Sequence, residues 1–365
     1  MATTNRIDPV YEARRRQLHA RHALRTLALA ATITAITVLA STLPTAAVAQ
    51  GSETTLIDAR EAFRKHDRVR LAALREQAGA ERNPLAMWVE YWELTNRINE
   101  VQPAEFAAFA QRWSGTYVED RLRNDWLLEL GRRRDVATFA AEFPRFRMND
   151  DREVTCFALA GDRLAGKDVG DSAVAAWLAQ KDADDGCAFL ATTLADAKLL
   201  APADVWNKLR ASIEGGRPRA ARQAAELLPD PAAAAVGEII DSPGRFLAKK
   251  ASAATRTDAE LATLAIVRLG ASDNESSAAL LAGRWEKALP PDLAAYAWAS
   301  VARQTAIKLQ PEASDQFLRA TRLVARTHHE IPLSDEMLAW KARAALRGDN
   351  GTPRWQQVVQ AINAM

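Results

Sequence analysis

The sequence predicts an all-α protein, an α-superhelical solenoid of antiparallel helix pairs. Composition is the first ground: 76 of 365 residues are alanine, against 16 glycines and 15 prolines. Alanine gives up no side-chain entropy in a helix and lets helices pack closely. Periodicity is the second ground, because apolar residues recur at spacings of three and four and no run alternates convincingly with a period of two. Punctuation is the third, since most prolines fall between the periodic runs, where a first helical turn tolerates them.

Hydrophobic residues make up 48% of the chain and charged residues 26%, which excludes a disordered chain, a collagen and a polytopic membrane protein. Two cysteines exclude a multi-site zinc ribbon or finger. The formal charge of +2 belongs to the N-terminus. Residues 1–49 hold six arginines and two acids, so the remainder carries a formal −2. A near-neutral body gives no electrostatic case for nucleic-acid binding.

Taken in chain order, residues 1–49 read as a secretory signal. Arg14 to Arg25 supplies a positive region, an apolar run follows from Leu27 to Leu39, and Ala47-Val48-Ala49 is a small-x-small site that would leave Gln50 as the new N-terminus. The apolar run is short for a stable membrane anchor, which is the alternative reading. Export would place the body, residues 50–365, in the oxidising periplasm.

Helical stripes then run through Leu85, Trp88, Val89, Trp92 and Leu94, through Phe106, Phe109, Ala110 and Trp113, and through Leu122, Trp126, Leu127 and Leu130. Trp88, Trp92, Trp113 and Trp126 are expected as helix–helix core rather than sugar platforms, because they share the helical spacing. Pro84, Pro103, Pro202, Pro291, Pro311 and Pro353 mark starts, and Gly115, Gly131, Gly170, Gly270 and Gly348 mark ends. Helices this short are marginal alone and must stack in pairs. The strict tetratricopeptide pattern is not met, so no repeat period is assigned.

Cys156 and Cys187 are the only cysteines, and in an exported chain one disulfide is the simplest reading. The alternative, a reactive thiol, needs a nearby histidine or a positive pocket. His66, His328 and His329 are expected at helix surfaces; the adjacent pair diverges by about 100° on a helix, so no metal cluster is formed. Asp182-Ala183-Asp184-Asp185 reads as a loop and helix start. There is no glycine-rich phosphate loop and no G-x-S-x-G elbow, and nothing calls for a cofactor.

Three segments carry a resemblance: Asn149-Asp150-Asp151-Arg152-Glu153-Val154-Thr155-Cys156, Trp88-Val89-Glu90-Tyr91-Trp92, and Leu122-Arg123-Asn124-Asp125-Trp126-Leu127. With Trp340-Lys341-Ala342-Arg343-Ala344-Ala345-Leu346 and the run from Trp355 to Ile362, they resemble the N-terminal part of soluble lytic murein transglycosylases over about residues 57–365. The resemblance implies a U-shaped superhelical region, closed into a ring by a linker region and topped by a lysozyme-like catalytic domain. It also implies a disulfide at the positions of Cys156 and Cys187. The implied substrate is peptidoglycan, cut between N-acetylmuramic acid and N-acetylglucosamine to a 1,6-anhydro sugar. The implied partners are glycan strands and other cell-wall enzymes.

The family's catalytic Glu-Ser is followed by Gly-Leu-Met-Gln, and no Gly-Leu-Met-Gln occurs here. The one Glu-Ser, Glu275-Ser276, is expected as a polar helix start, so no catalytic residue is assigned. A strong apolar helix, Trp355 to Ile362, lies just before Met365, so the array is expected to be cut off before the linker and catalytic domains. The expectation is a non-cleaving helical scaffold, or else a periplasmic protein–protein adaptor.

Overall fold

A computed structural model of the chain describes residues 46–327, 331–348 and 352–365. Residues 1–45 of the expected export signal, and His328 and His329, lie outside the described residues. Ala47, Ala49 and Gln50 fall in the first turns of a helix, Ala46–Arg64. Among the described residues no β-strand occurs, and no helix is long and apolar enough to cross a membrane. The chain divides into two compact units, one up to Trp113 and one from Ser114 onward.

In the first unit, Ala46–Arg64, Arg68–Ala80 and Ala86–Asn96 pack against one another, and Pro103–Arg112 follows. The Asp67 carboxylate accepts from the Arg70 amide and starts the second helix. The contact surface is built from Ala59, Ala62, Leu71, Leu74, Ala78 and Val89. Two carboxylates break this apolar surface. Glu90 accepts from Arg75, Arg112 and the Trp113 indole (2.8 Å), and Glu93 from Arg75 and Arg97. Buried charges are tolerated when each lone pair finds a donor, and these do.

The second unit runs through Tyr117–Arg133, Val136–Glu142, Arg152–Leu164, Gly170–Ala179, Asp185–Asp196, Pro202–Glu214, Pro218–Ala225, Asp230–Asp241, Pro243–Lys249 and Arg256–Ser272. It continues through Asn274–Leu280, a π turn at Leu281–Trp285, Pro291–Ile307, Ala313–Val324, Asp335–Arg347 and Trp355–Asn363. Consecutive helices pair, as a helical solenoid requires: Pro243–Lys249 with Arg256–Ser272, Pro291–Ile307 with Ala313–Val324, Asp335–Arg347 with Trp355–Asn363. Proline opens Pro202–Glu214, Pro218–Ala225 and Pro291–Ile307 at the first turn, where its missing N–H has no intrahelical partner to lose.

The glycine expectations need correction at three positions. Gly170 opens a helix instead of closing one, and Gly131 and Gly270 lie inside last turns. At Gly131 the requirement is space: a Cβ there would sit 2.4 Å from the Phe157 ring, so the glycine lets Arg152–Leu164 approach. Gly115 and Gly348 do lie just past helix ends at positive φ, 81° and 54°.

Candidate functional site

Two of the segments that carried the resemblance, at 122–127 and 149–156, meet in the second unit as a set of anchors. The Asn124 amide donates to Asp151 (3.1 Å), and Asp151 in turn accepts from the Val154 amide and starts Arg152–Leu164. Asp120, buried, accepts from the backbone N–H groups of Arg147 (3.0 Å) and Met148 (2.7 Å). Arg123 pairs with both Glu119 and Glu142. Their work is to hold the 143–151 connection onto Tyr117–Arg133, with the Arg147 and Met148 N–H groups bound by the Asp120 carboxylate.

Cys156 and Cys187 are bonded, with their Cα atoms 4.9 Å apart. The bond joins Arg152–Leu164 to Asp185–Asp196, whose start is set by Asp184 accepting from the Cys187 amide (2.7 Å). The acidic run at 182–185 is therefore a helix start. Arg134 adds a two-pronged ion pair to Asp185 (2.8 and 2.9 Å) and covers the Phe189 ring at 4.3 Å. Glu153 stands beside this joint, its carboxyl raised by burial and then by the Asp184 charge.

Of the four tryptophans expected in the core, Trp126 is fully enclosed. Trp88, Trp92 and Trp113 are half-buried; Trp92 stacks on Phe63 at 6.2 Å and meets Trp88 at 6.2 Å. His66 is an exposed residue just past a helix end, its ring 3.2 Å from the Asn96 amide nitrogen. Glu275 is exposed in the first turn of Asn274–Leu280, started by Asp273, and accepts from Gln310 (2.9 Å). Among the described residues no three His, Cys, Asp or Glu side chains gather as metal ligands.

A further set of perturbed groups lies around a groove of about 320 Å³ bordered by Lys208, Glu214, Arg217, Ser334 and Glu336. Glu214 ends Pro202–Glu214, and its side chain is 7% exposed. The Ser334 hydroxyl donates to one carboxylate oxygen (2.8 Å) and the Tyr296 hydroxyl to the other (3.2 Å). Burial raises the Glu214 carboxyl above the ordinary range, and Ser334, Arg303 and Tyr296 pull it back in part. Tyr296, fully enclosed, is raised well above the usual phenol by the same burial.

On the opposite wall the Lys208 ammonium donates to the backbone carbonyls of Trp177 (2.6 Å) and Gln180, closing the last turn of Gly170–Ala179. Burial lowers this amine to about 8. Behind the groove, Arg210 and Glu260 form a fully buried ion pair, Glu260 also accepts from Arg256 (3.0 Å), and Arg256 continues to Asp292 (2.7 Å).

A carboxyl poised to protonate a substrate needs a free oxygen facing that substrate. Both oxygens of Glu214 are engaged from neighbouring helices, so it clamps Pro202–Glu214, Pro291–Ile307 and the start of Asp335–Arg347 together. Sequence reasoning missed Lys208, Arg210, Glu214, Glu260 and Tyr296. On a helix their spacing is that of any solvated face, and only tertiary packing buries them.

No family model matches the chain, and no curated protein matches it. Its fold does match solved structures. The lytic transglycosylase Slt of Pseudomonas aeruginosa, solved as an inactive mutant, aligns with a TM-score of 0.52 and 19% identity, covering 85% of this chain and 52% of that one. The chain shares the all-helical fold of that region. The 70-kDa soluble lytic transglycosylase Slt70 of Escherichia coli aligns at 0.49 with 16% identity, covering 87% of this chain and 50% of the other. The chain thus spans about half the length of the solved structures it matches.

Proposed function

We propose that this chain is a periplasmic helical scaffold that holds peptidoglycan glycan strands, reached through a cleaved signal peptide at residues 1–49, and that residues 50–365 do not themselves cut the glycan. The observation that carries the reading is the fold shared with the Slt transglycosylase, together with the bond between Asn124 and Asp151 and the disulfide at Cys156, which tie two of the resembling segments together in the second unit. The non-cleaving part rests on two residues. Glu275, in the sole Glu-Ser pair, sits on an exposed first turn, and the buried carboxyl of Glu214 has both oxygens occupied.

The test is co-sedimentation with purified murein sacculi, followed by analysis of released muropeptides. The chain should pellet with the sacculi and release no 1,6-anhydro products. A chain left in the supernatant would sink the binding role, and anhydro products abolished by Glu275→Gln or Glu214→Gln would sink the non-cleaving role.

A second reading, a protein–protein adaptor for other cell-wall enzymes, is favoured by one observation. Trp355, Val359 and Ile362 form an exposed apolar stripe on Trp355–Asn363. Replacing all three by polar residues should abolish capture of such an enzyme under the adaptor reading and leave sacculus binding intact under the first.

A further inference from the structure

The groove between Pro202–Glu214 and the start of Asp335–Arg347 carries charge that the clamp at Glu214 does not use. Its volume of about 320 Å³ falls within the range of sites that enclose a small organic ligand. One wall is cationic. Lys208 is 5% exposed, and its ammonium rests on the backbone carbonyl oxygens of Trp177 (2.6 Å) and Gln180, which carry no full charge. An ammonium has three N–H groups, and among the described residues no carboxylate pairs with this one. A buried cation without a counter-charge is costly, and a ligand carboxylate would supply one.

Arg217 also lines this wall, close enough to Lys208 for the two charges to repel. Its guanidinium lies against the turn at Gly215, where a Cβ would come within 2.1 Å of Nη1, so the missing side chain makes room for it. The ion pair it makes, 3.5 Å to Asp182, runs to a side chain that is 85% exposed and so neutralises it weakly. Lys181, exposed, is the third cation of the lining.

The facing wall is acidic. Asp335 and Glu336 form the first turn of Asp335–Arg347 behind the Ser334 cap, and both line the groove. Glu336 is 59% exposed and pairs through one oxygen with Arg303, and Asp335 is exposed as well.

The two signs together decide the class of ligand. A simple anion drawn to Lys208 and Arg217 would be repelled by Asp335 and Glu336, and a simple cation would meet the reverse. A dipolar molecule with its charges held apart satisfies both walls. A groove of this volume is about 7 Å across if its sides are equal, and two extended residues span about 7 Å. A single α-amino acid carries both charges on one carbon and does not reach both walls.

We propose that this groove binds a dipeptide with free ends, its carboxylate on Lys208 and Arg217 and its ammonium on Asp335 and Glu336. The site does not depend on the function proposed above.

The experiment is a calorimetric titration of the full chain with Ala-Ala, compared with N-acetyl-Ala-Ala, which lacks the ammonium, Ala-Ala amide, which lacks the carboxylate, and free alanine. Ala-Ala should bind about tenfold or more tightly than each of the other three, the scale of one charge-assisted contact. Arg217→Gln should weaken Ala-Ala by about tenfold and leave the amide unchanged, and Asp335→Asn should weaken Ala-Ala by a similar factor and leave the N-acetyl form unchanged. Both variants should melt close to the wild type, because Arg217 is partly and Asp335 largely exposed. No saturable binding of Ala-Ala, equal binding of either blocked form, or an affinity for Ala-Ala unchanged in either variant overturns the site. Alanine binding as tightly as Ala-Ala overturns the assignment of a dipeptide.

Discussion

Glu260→Gln tests whether the second unit is held by its buried charges. Glu260 is 2% exposed and is the partner of Arg210, which is 4% exposed. The substitution keeps the shape and one acceptor oxygen but removes the charge, leaving the Arg210 guanidinium enclosed with only the Asn207 amide oxygen as a second acceptor. Breaking a buried pair by removing one partner costs about 3–5 kcal/mol. The retained amide oxygen and Asn207 put the expected loss near the lower end, about 3 kcal/mol. Arg256 adds little to that figure, because it is half exposed and keeps Asp292. For a unit of about 250 residues, 3 kcal/mol corresponds to a fall in Tm of about 6–12 °C.

The assay is urea and thermal unfolding followed by circular dichroism at fixed pH and salt. An internal control is Asp241→Asn, which breaks the exposed pair with Arg222 and should cost less than about 1 kcal/mol. The control's effect should shrink in high salt and that of Glu260→Gln should persist. Replacing both members, Arg210→Met with Glu260→Leu, should recover most of the loss, since no lone buried charge remains. A Glu260→Gln variant no less stable than the exposed control would refute the reasoning.

Replacing Cys156 by serine should lower stability by about 3–4 kcal/mol, the chain-entropy value for a 31-residue separation, and unreduced peptide mapping should recover the two cysteine peptides linked. Glu214→Gln should leave stability unchanged at pH below about 4.5, where the carboxyl is protonated folded or unfolded. The wild type should then lose stability relative to the variant as pH rises through the elevated Glu214 pKa, because burial disfavours the charged form. A wild type that gains on the variant over that range would contradict the assignment of burial as the dominant cause. Gly131→Ala should cost about 1–3 kcal/mol by driving a methyl group into the Phe157 ring, measurable as a shift in urea midpoint.

The sequence made the helices legible because each buries one stripe. Leu122, Trp126, Leu127 and Leu130 read as a helical face and are buried as one. Starts were legible where a side chain caps, as at Asp184, or where proline fixes the first turn, as at Pro202 and Pro291. Ends were less so. Gly131 looked like a stop signal, but the contact that requires it comes from Phe157 on another helix. The polar groove was invisible for the same reason: Lys208 and Arg210 alternate with apolar neighbours as surface residues do, and Trp177, Gln180 and Glu260 enclose them only after folding.

The helix Pro291–Ile307 is buried on nearly every side, its polar Asp292, Ser300, Arg303 and Thr305 included. It touches Arg256–Ser272, Ala313–Val324 and Asp335–Arg347, and Arg256–Ser272 itself reaches back to Pro202–Glu214. A solenoid whose repeats meet only their neighbours can be shortened one repeat at a time and still fold. This unit cannot. Until Ala313–Val324 and the segment through Leu333 have emerged, the face that carries Tyr296 and Ala299 has nothing to cover it, so the earlier helices must wait with a sticky centre exposed. The C-terminal third therefore acts as the keystone of assembly, and a chain stopped short of it should be recognised by the cell as unfolded.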